Sequence, residues 1–190
     1  GTVSGDEVTG TLEGTFGGSD TTVESKPGST TGSAETTTND VAIDLTTKND
    51  TTTTTLNVTQ DTAASLNQAN SLTVKTDVAA VKLDSKALGA VAQAEDDVTI
   101  TVSDGGVTGE GVEKSYTVTA EADGQNLLPY GGKKGTVTIT VKVDEGKTAA
   151  NYQAWYVTES AGSWSYVEKL SMTDAAPGYV DITIDHLSTV

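Results

Sequence analysis

Val8-Thr-Gly-Thr-Leu-Glu-Gly-Thr-Phe16 separates into two interleaved sets. Val8, Gly10, Leu12, Gly14 and Phe16 fall on one parity, while Thr9, Thr11, Glu13 and Thr15 fall on the other. A period of two marks a half-buried strand, and glycines on the apolar parity let another backbone approach closely. Residues 1–35, which otherwise read as a linker, therefore open a β protein. Gly17-Gly18-Ser19-Asp20 ends the strand, and Ser25-Lys-Pro-Gly-Ser-Thr-Thr-Gly-Ser33 reads as a loop.

The same reading extends along the chain. Val41–Leu45 and Thr53–Val58 flank Lys48-Asn49-Asp50 as a hairpin, and Ser71–Thr76 and Ala79–Leu83 form two more short strands. Strands follow at Val98–Val102, Lys114–Thr119 and Gly135–Val143, then at Tyr152–Thr158, Trp164–Lys169 and Gly178–Ile184. Only Asp84–Ala94 has helical spacing, with Ser85 as cap and Ala87, Leu88, Val91 and Ala92 on one side. The expected fold is all-β, a β-sandwich of about ten short strands with one short helix near 85–94. Residues 1–70 read as a Thr/Gly-rich N-terminal β layer or subdomain and 71–190 as the sandwich proper, or the two as one continuous domain. A β-solenoid would need a fixed repeat, and none is visible.

Composition agrees. The chain has 35 threonines, whose β-branch suits a pleated surface, with 20 glycines and 3 prolines for turns. The formal net charge is -16, and all 11 basic residues are lysines. That balance argues against nucleic acid, which is gripped through Lys and Arg contacts to phosphate. It equally argues against direct contact with an anionic membrane surface. Cysteine is absent, which excludes disulfides and thiolate metal sites and is compatible with export. The chain begins at Gly1 and stops within a strand-like run, as a piece cut from a longer polypeptide with other modules would.

Residues 151–190 hold both tryptophans, four of the six tyrosines and the only histidine. From about Leu72 onward, roughly 115 residues, the order of elements resembles a module of secreted and cell-wall-attached proteins of Gram-positive anaerobes. The matching features are the strands and Ala/Leu helix of Thr73–Leu88, the Val137–Val141 strand, Trp155-Tyr-Val, and Gly162-Ser-Trp-Ser-Tyr-Val167. The closing stretch, Gly178-Tyr-Val-Asp-Ile-Thr-Ile-Asp185-His186-Leu187-Ser188, resembles that module's Gly-x-Val-x-Phe/Ile-x-x-Asp-His-Phe-Ser pattern. Leu187 replaces the usual phenylalanine, and Lys142-Val143 stands where Pro-Tyr is normal. The resemblance implies an extracellular β-domain of the kind found in adhesins, S-layer-type proteins and polysaccharide-degrading assemblies.

Candidate chemistry is sparse. Asp185, His186 and Ser188 are the residue types of a nucleophilic triad, but at i, i+1 and i+3 on a strand end their side chains diverge. No catalytic residue is expected. Glu95-Asp96-Asp97 and Ser103-Asp104-Gly105-Gly106 are acidic turns that would suit Ca²⁺, yet neither has EF-hand spacing, so no metal or cofactor is expected. Lys82, Lys142, Asn126 and Asn151 are candidates for an intramolecular isopeptide bond, which needs a buried lysine. The sharpest feature is the aromatic hairpin. A loop at Glu159–Gly162 sets Val157 opposite Trp164 and Trp155 opposite Tyr166, so these four share one face. The expected function is a non-catalytic module binding a polysaccharide or other surface glycan. Trp155, Trp164 and Tyr166 would stack on sugar rings, while Gln153 and Glu168 bond hydroxyls. The alternatives are a structural spacer or stalk and a protein-binding adhesin domain, with the same aromatics as core.

Overall fold

Threonine and valine alternate along most strands, and the alternation sorts them between solvent and a single core. The computed structural model describes residues 2–4, 7–12, 22–24, 33–36, 40–47 and 51–190, with side chains for 7–12, 40–47 and 51–190. Its first strands are β1 (Thr2–Ser4), β2 (Glu7–Leu12), β3 (Thr22–Glu24), β4 (Ser33–Thr36), β5 (Asp40–Asp44) and β6 (Thr53–Val58). Helix α1 (Gln60–Ser65) precedes β7 (Ser71–Lys75) and β8 (Ala80–Asp84), and α2 (Ser85–Ala92) precedes β9 (Val98–Asp104). The remainder is β10 (Tyr116–Ala122), β11 (Gln125–Asn126), β12 (Val137–Lys142), β13 (Ala154–Ser160), β14 (Ser163–Asp174) and β15 (Tyr179–Ile184).

The fold is all-β and sandwich-like. One sheet runs β1-β2-β6-β9-β10-β11, the other β13-β14-β15-β12-β8-β7-β5, and β3 pairs with β4. Pairing is antiparallel except for β2 with β6 and β5 with β7. Strands from before residue 71 thus lie in both large sheets. The inward residues are Leu56 and Val58, Val98, Ile100 and Val102, Val137, Ile139 and Val141, and Val180, Ile182 and Ile184 on their respective strands. Most strand threonines take the other parity, Thr54 of β6 being a buried exception. Thr9, Thr55, Thr101 and Thr119 stand opposite one another across β2, β6, β9 and β10. The β-branched residues that favour strands on the wet face are the same ones whose excess marks the composition.

Four expectations change. Glu7–Leu12 forms a strand as its alternation requires, with Val8, Gly10 and Leu12 buried, while Gly14 and Phe16 lie outside the described residues. What approaches Gly10 is the Leu45 side chain, not a backbone: a Cβ there would stand 2.7 Å from Leu45 Cδ2. The strands flanking 48–50 are not a hairpin, because β5 joins one sheet and β6 the other, and 48–50 lies outside the described residues. The helix at 85–92 is capped by Asp84, whose Oδ1 accepts from the Ala87 N–H at 2.9 Å, and not by Ser85. A second short helix, α1, packs against α2 with Ala63 and Leu66 buried. At six residues it spans under two turns, too few for a hydrophobic period to register.

Residues 188–190 join the sheets. Thr189 bridges both Thr117 of β10 and Val157 of β13. The Tyr116 N–H donates to Val190 O at 2.7 Å and the Val157 N–H to Thr189 O at 3.0 Å. No helix among the described residues is long and apolar enough to cross a membrane.

Candidate functional site

The aromatic hairpin turns tighter than expected. Ala161 and Gly162 form a two-residue loop with φ of 52° and 80°. Two positive φ values in such a loop match the right-handed twist of the flanking strands. Next to the loop the register is shifted by two residues from the expected one, with Val157 opposite Tyr166 and Glu159 opposite Trp164, and past a bulge it is shifted by three, with Trp155 opposite Lys169. A shift of two leaves every side chain on its face. Trp155, Val157, Trp164 and Tyr166 therefore share a face as the sequence implied. A bulge between Tyr156 and Val157 on the pairing ladder bends the hairpin there.

Trp155 and Tyr166 line a cleft of about 1200 Å³. Their rings meet edge to face at 5.7 Å, and Trp155 Nε1–H donates to Gln153 Oε1 at 3.2 Å. Tyr152, with Lys147 Nζ 5.7 Å from its ring centre, and Tyr116 add further rings to the lining. Val141 and Ile182 give it an apolar floor. Tyr166 is 59% exposed, Trp155 is half-buried and Gln153 is exposed. Burial, helped by Asp104 and Tyr152, pushes the Tyr116 hydroxyl up to about 12, so it stays neutral and donates or accepts as a phenol.

Two of the five expected ligand-binding residues lie elsewhere. Trp164 is half-buried on the same face of the hairpin but does not line the cleft. Glu168 stands opposite Tyr156, on the hairpin's other face, beside His186. The bulge is what moves Glu168: by sequence it shares the parity of Trp164 and Tyr166, but with Tyr166 opposite Val157 and Glu168 opposite Tyr156 the extra residue Val167 exchanges the faces of β14 beyond it, so Glu168 falls on the face of Leu170.

His186 is wholly buried. Its Nδ1 lies 2.9 Å from Ser188 Oγ, and the Tyr156 and Tyr130 rings meet it edge-on at 4.5 and 4.9 Å. Nε2 lies 3.7 Å from Glu168 Oε1 and has no hydrogen-bond partner. Burial lowers the imidazole pKa below 6.5, outweighing Asp185 and Glu168, which raise it. The Ser188 and His186 side chains thus do meet, contrary to the expected divergence, because the chain leaves β15 after Ile184 and bends. The acid nearest Nε2 is Glu168, not the neighbouring Asp185 alone. Neither His186 nor Ser188 lines the cleft.

The acidic turns serve the backbone. Asp97 Oδ1 accepts from the Gln60 N–H at the start of α1, and Asp104 Oδ1 from the Gly106 N–H. They do not converge as ligands; among the described residues the group that does is Glu168, Asp185 and His186, whose donor atoms all lie within 4.8 Å. No local motif marks this group, because Glu168 lies 17 residues before Asp185 in the chain. The isopeptide candidates Lys82 and Lys142 are exposed, so neither is the buried lysine such a bond needs. Asn126 instead donates to Leu187 O and accepts from the Leu128 N–H. Comparison with family models, with curated proteins and with solved structures gives no match.

Proposed function

We propose that this chain is a non-catalytic glycan-binding module of a secreted or cell-surface bacterial protein, taking a polysaccharide along the Trp155–Tyr166 wall of the cleft. The observation that carries this reading is the pairing of an exposed tyrosine with a half-buried tryptophan on one wall of a cleft of about 1200 Å³. Flat rings stack on the apolar faces of sugars with little side-chain ordering, and their polar edges remain available for hydroxyls. Gln153, exposed beside Trp155, supplies an amide, and Lys147 and Asp144 supply charged groups at the rim. The closing motif at Gly178–Ser188 and its resemblance to surface modules support the same placement.

Affinity electrophoresis in soluble glycans, with pull-down on insoluble polysaccharides, tests it. Trp155→Ala and Tyr166→Ala are each expected to weaken retention about tenfold or more, which is about 1.4 kcal/mol. Trp164→Ala, off the cleft, is expected to retain binding. Wild-type protein that is retained by no polysaccharide overturns the proposal and leaves the spacer reading. Equal loss from Trp164→Ala would move the site to the hairpin's outer end.

A further inference from the structure

We infer that Glu168, Asp185 and His186 form a binding site for one divalent transition-metal ion of the zinc class. The argument starts from Nε2 of His186. It belongs to a side chain with no exposed surface, it faces Glu168, and no hydrogen bond satisfies it. Buried polar atoms are seldom left so, and each one calls for a partner the protein itself does not supply.

Distance discriminates between the candidate partners. A direct N–H···O bond to Glu168 would sit at about 2.7–3.2 Å. The observed separation is 3.7 Å. Two donors held tetrahedrally at about 2.1 Å from a shared ion stand roughly 3.4 Å apart. The pair is therefore too far apart for a hydrogen bond and within a few tenths of an ångström of a bridging ion. Asp185 completes a set of three donors within 4.8 Å of one another.

The surroundings fit a ligand histidine. Ser188 Oγ holds Nδ1 at 2.9 Å, the outer hydrogen bond that fixes a metal-binding imidazole, and leaves Nε2 as the ligating atom. Tyr130 and Tyr156 pin the ring edge-on. β14 pairs with β15 from Ser171 opposite Thr183 onward, and Glu168 and His186 lie just beyond that paired stretch on the two strands, which brings the donors to 3.7 Å. Glu168 and Asp185 also line a hollow of about 220 Å³, which gives an ion and its remaining water a way in. One imidazole with two carboxylates suits zinc and its neighbours, whereas Ca²⁺ takes six to eight oxygens.

The chain's single histidine makes the test direct, because every imidazole resonance belongs to His186. Zinc is titrated into protein stripped with chelator, followed by imidazole ¹⁵N NMR and by competition with a chromophoric chelator. Expected are saturation at one ion per chain, a shift of Nε2 with Nδ1–H retained, and tetrahedral or five-coordinate bands on cobalt substitution. Glu168→Gln and Asp185→Asn, both on partly exposed side chains, should each weaken binding about tenfold or more. Asp144→Asn, an exposed acid elsewhere, should not. Zinc that binds without moving the His186 signals, or equally well to Glu168→Gln, is ion collected by an acidic surface and overturns the assignment. So does the absence of saturable binding. His186→Asn is a poor probe by itself, since emptying a buried site can unfold the protein.

Discussion

Gly135→Ala should be among the most damaging single changes in the chain, and the structure says by how much. Gly135 lies just before β12 with φ of 138°, a conformation essentially reserved for glycine. A Cβ there would stand 2.3 Å from Ala87 N, 2.6 Å from Ala87 Cα and 2.7 Å from Ala87 Cβ. The nearest atoms are backbone in the first turn of α2, so no rotamer relieves the overlap. The helix must move by about an ångström, and it carries the Ala87 N–H that Asp84 caps. Overpacking costs about 1–3 kcal/mol, the backbone strain about 1–3, and a lost cap about 1. These overlap, and a net loss of about 3–5 kcal/mol is expected. For a chain of this size that is about 6–20 °C in the melting midpoint. Gly89→Ala is the control: it lies in the same helix with nothing within 4 Å of an added Cβ. It should stabilise by about 0.5–1 kcal/mol. Urea denaturation of both variants decides. A Gly135→Ala loss below about 1 kcal/mol would refute the claim that α2 is fixed against that glycine.

Gly10→Ala poses a milder version, because the clash is with the ends of a buried leucine. It should cost about 1–2 kcal/mol, and less in a Leu45→Ala background, a coupling readable by a double-mutant cycle. Acid should act in two windows in metal-free protein. His186 has a folded pKa below 6.5, so its contribution is full above 6.5 and drains as pH falls from there toward the folded value. Asp77 is raised by burial but lowered more by hydrogen bonds from the Thr47 N–H at 2.8 Å and the Thr51 hydroxyl at 2.7 Å. Its contribution is full above 3.8 and is lost below. The melting-temperature gap between wild type and Asp77→Asn should therefore close only below pH 3.8, while the His186 resonances titrate below 6.5 in both.

Much of the fold was legible because each half-buried strand carries its own period of two. Val98–Val102 and Val137–Val141 need no knowledge of their neighbours to be read as strands with one apolar face. Sheet membership is different. β5 and β6 are separated by eight residues yet join opposite sheets, since pairing is decided by distant strands, β7 and β9, and not by the intervening turn. The hairpin's face was legible although its register was not, because a two-residue error is invisible to parity. Glu168 was misplaced because its parity along the sequence is that of Trp164 and Tyr166. The bulge at Val167 exchanges the faces of β14 beyond it, and a single extra residue leaves no periodic mark in the sequence. The residue it meets, His186, lies 18 residues on, beyond the reach of local pattern.

The two proposed sites share a strut. Ser188 orients the His186 ring through its hydroxyl while its carbonyl accepts from the Val118 N–H of β10. One residue on, Thr189 joins β10 to β13 through Thr117 and Val157, and its hydroxyl meets that of Thr117 at 2.8 Å. Val190 then exchanges both hydrogen bonds with Tyr116. Tyr116 and Val190 line the cleft on one side of this strut, and Val157 with Trp155 on the other. The spacing between those walls is therefore set by backbone hydrogen bonds to three consecutive residues, and the same run begins at the imidazole whose outer nitrogen faces Glu168. Holding that imidazole fixes the first point of the run, and the ladder carries the constraint to the aromatic wall. Hydrogen bonds to Ser188, Thr189 and Val190 thus run without a break from the His186 ring to residues that line the cleft.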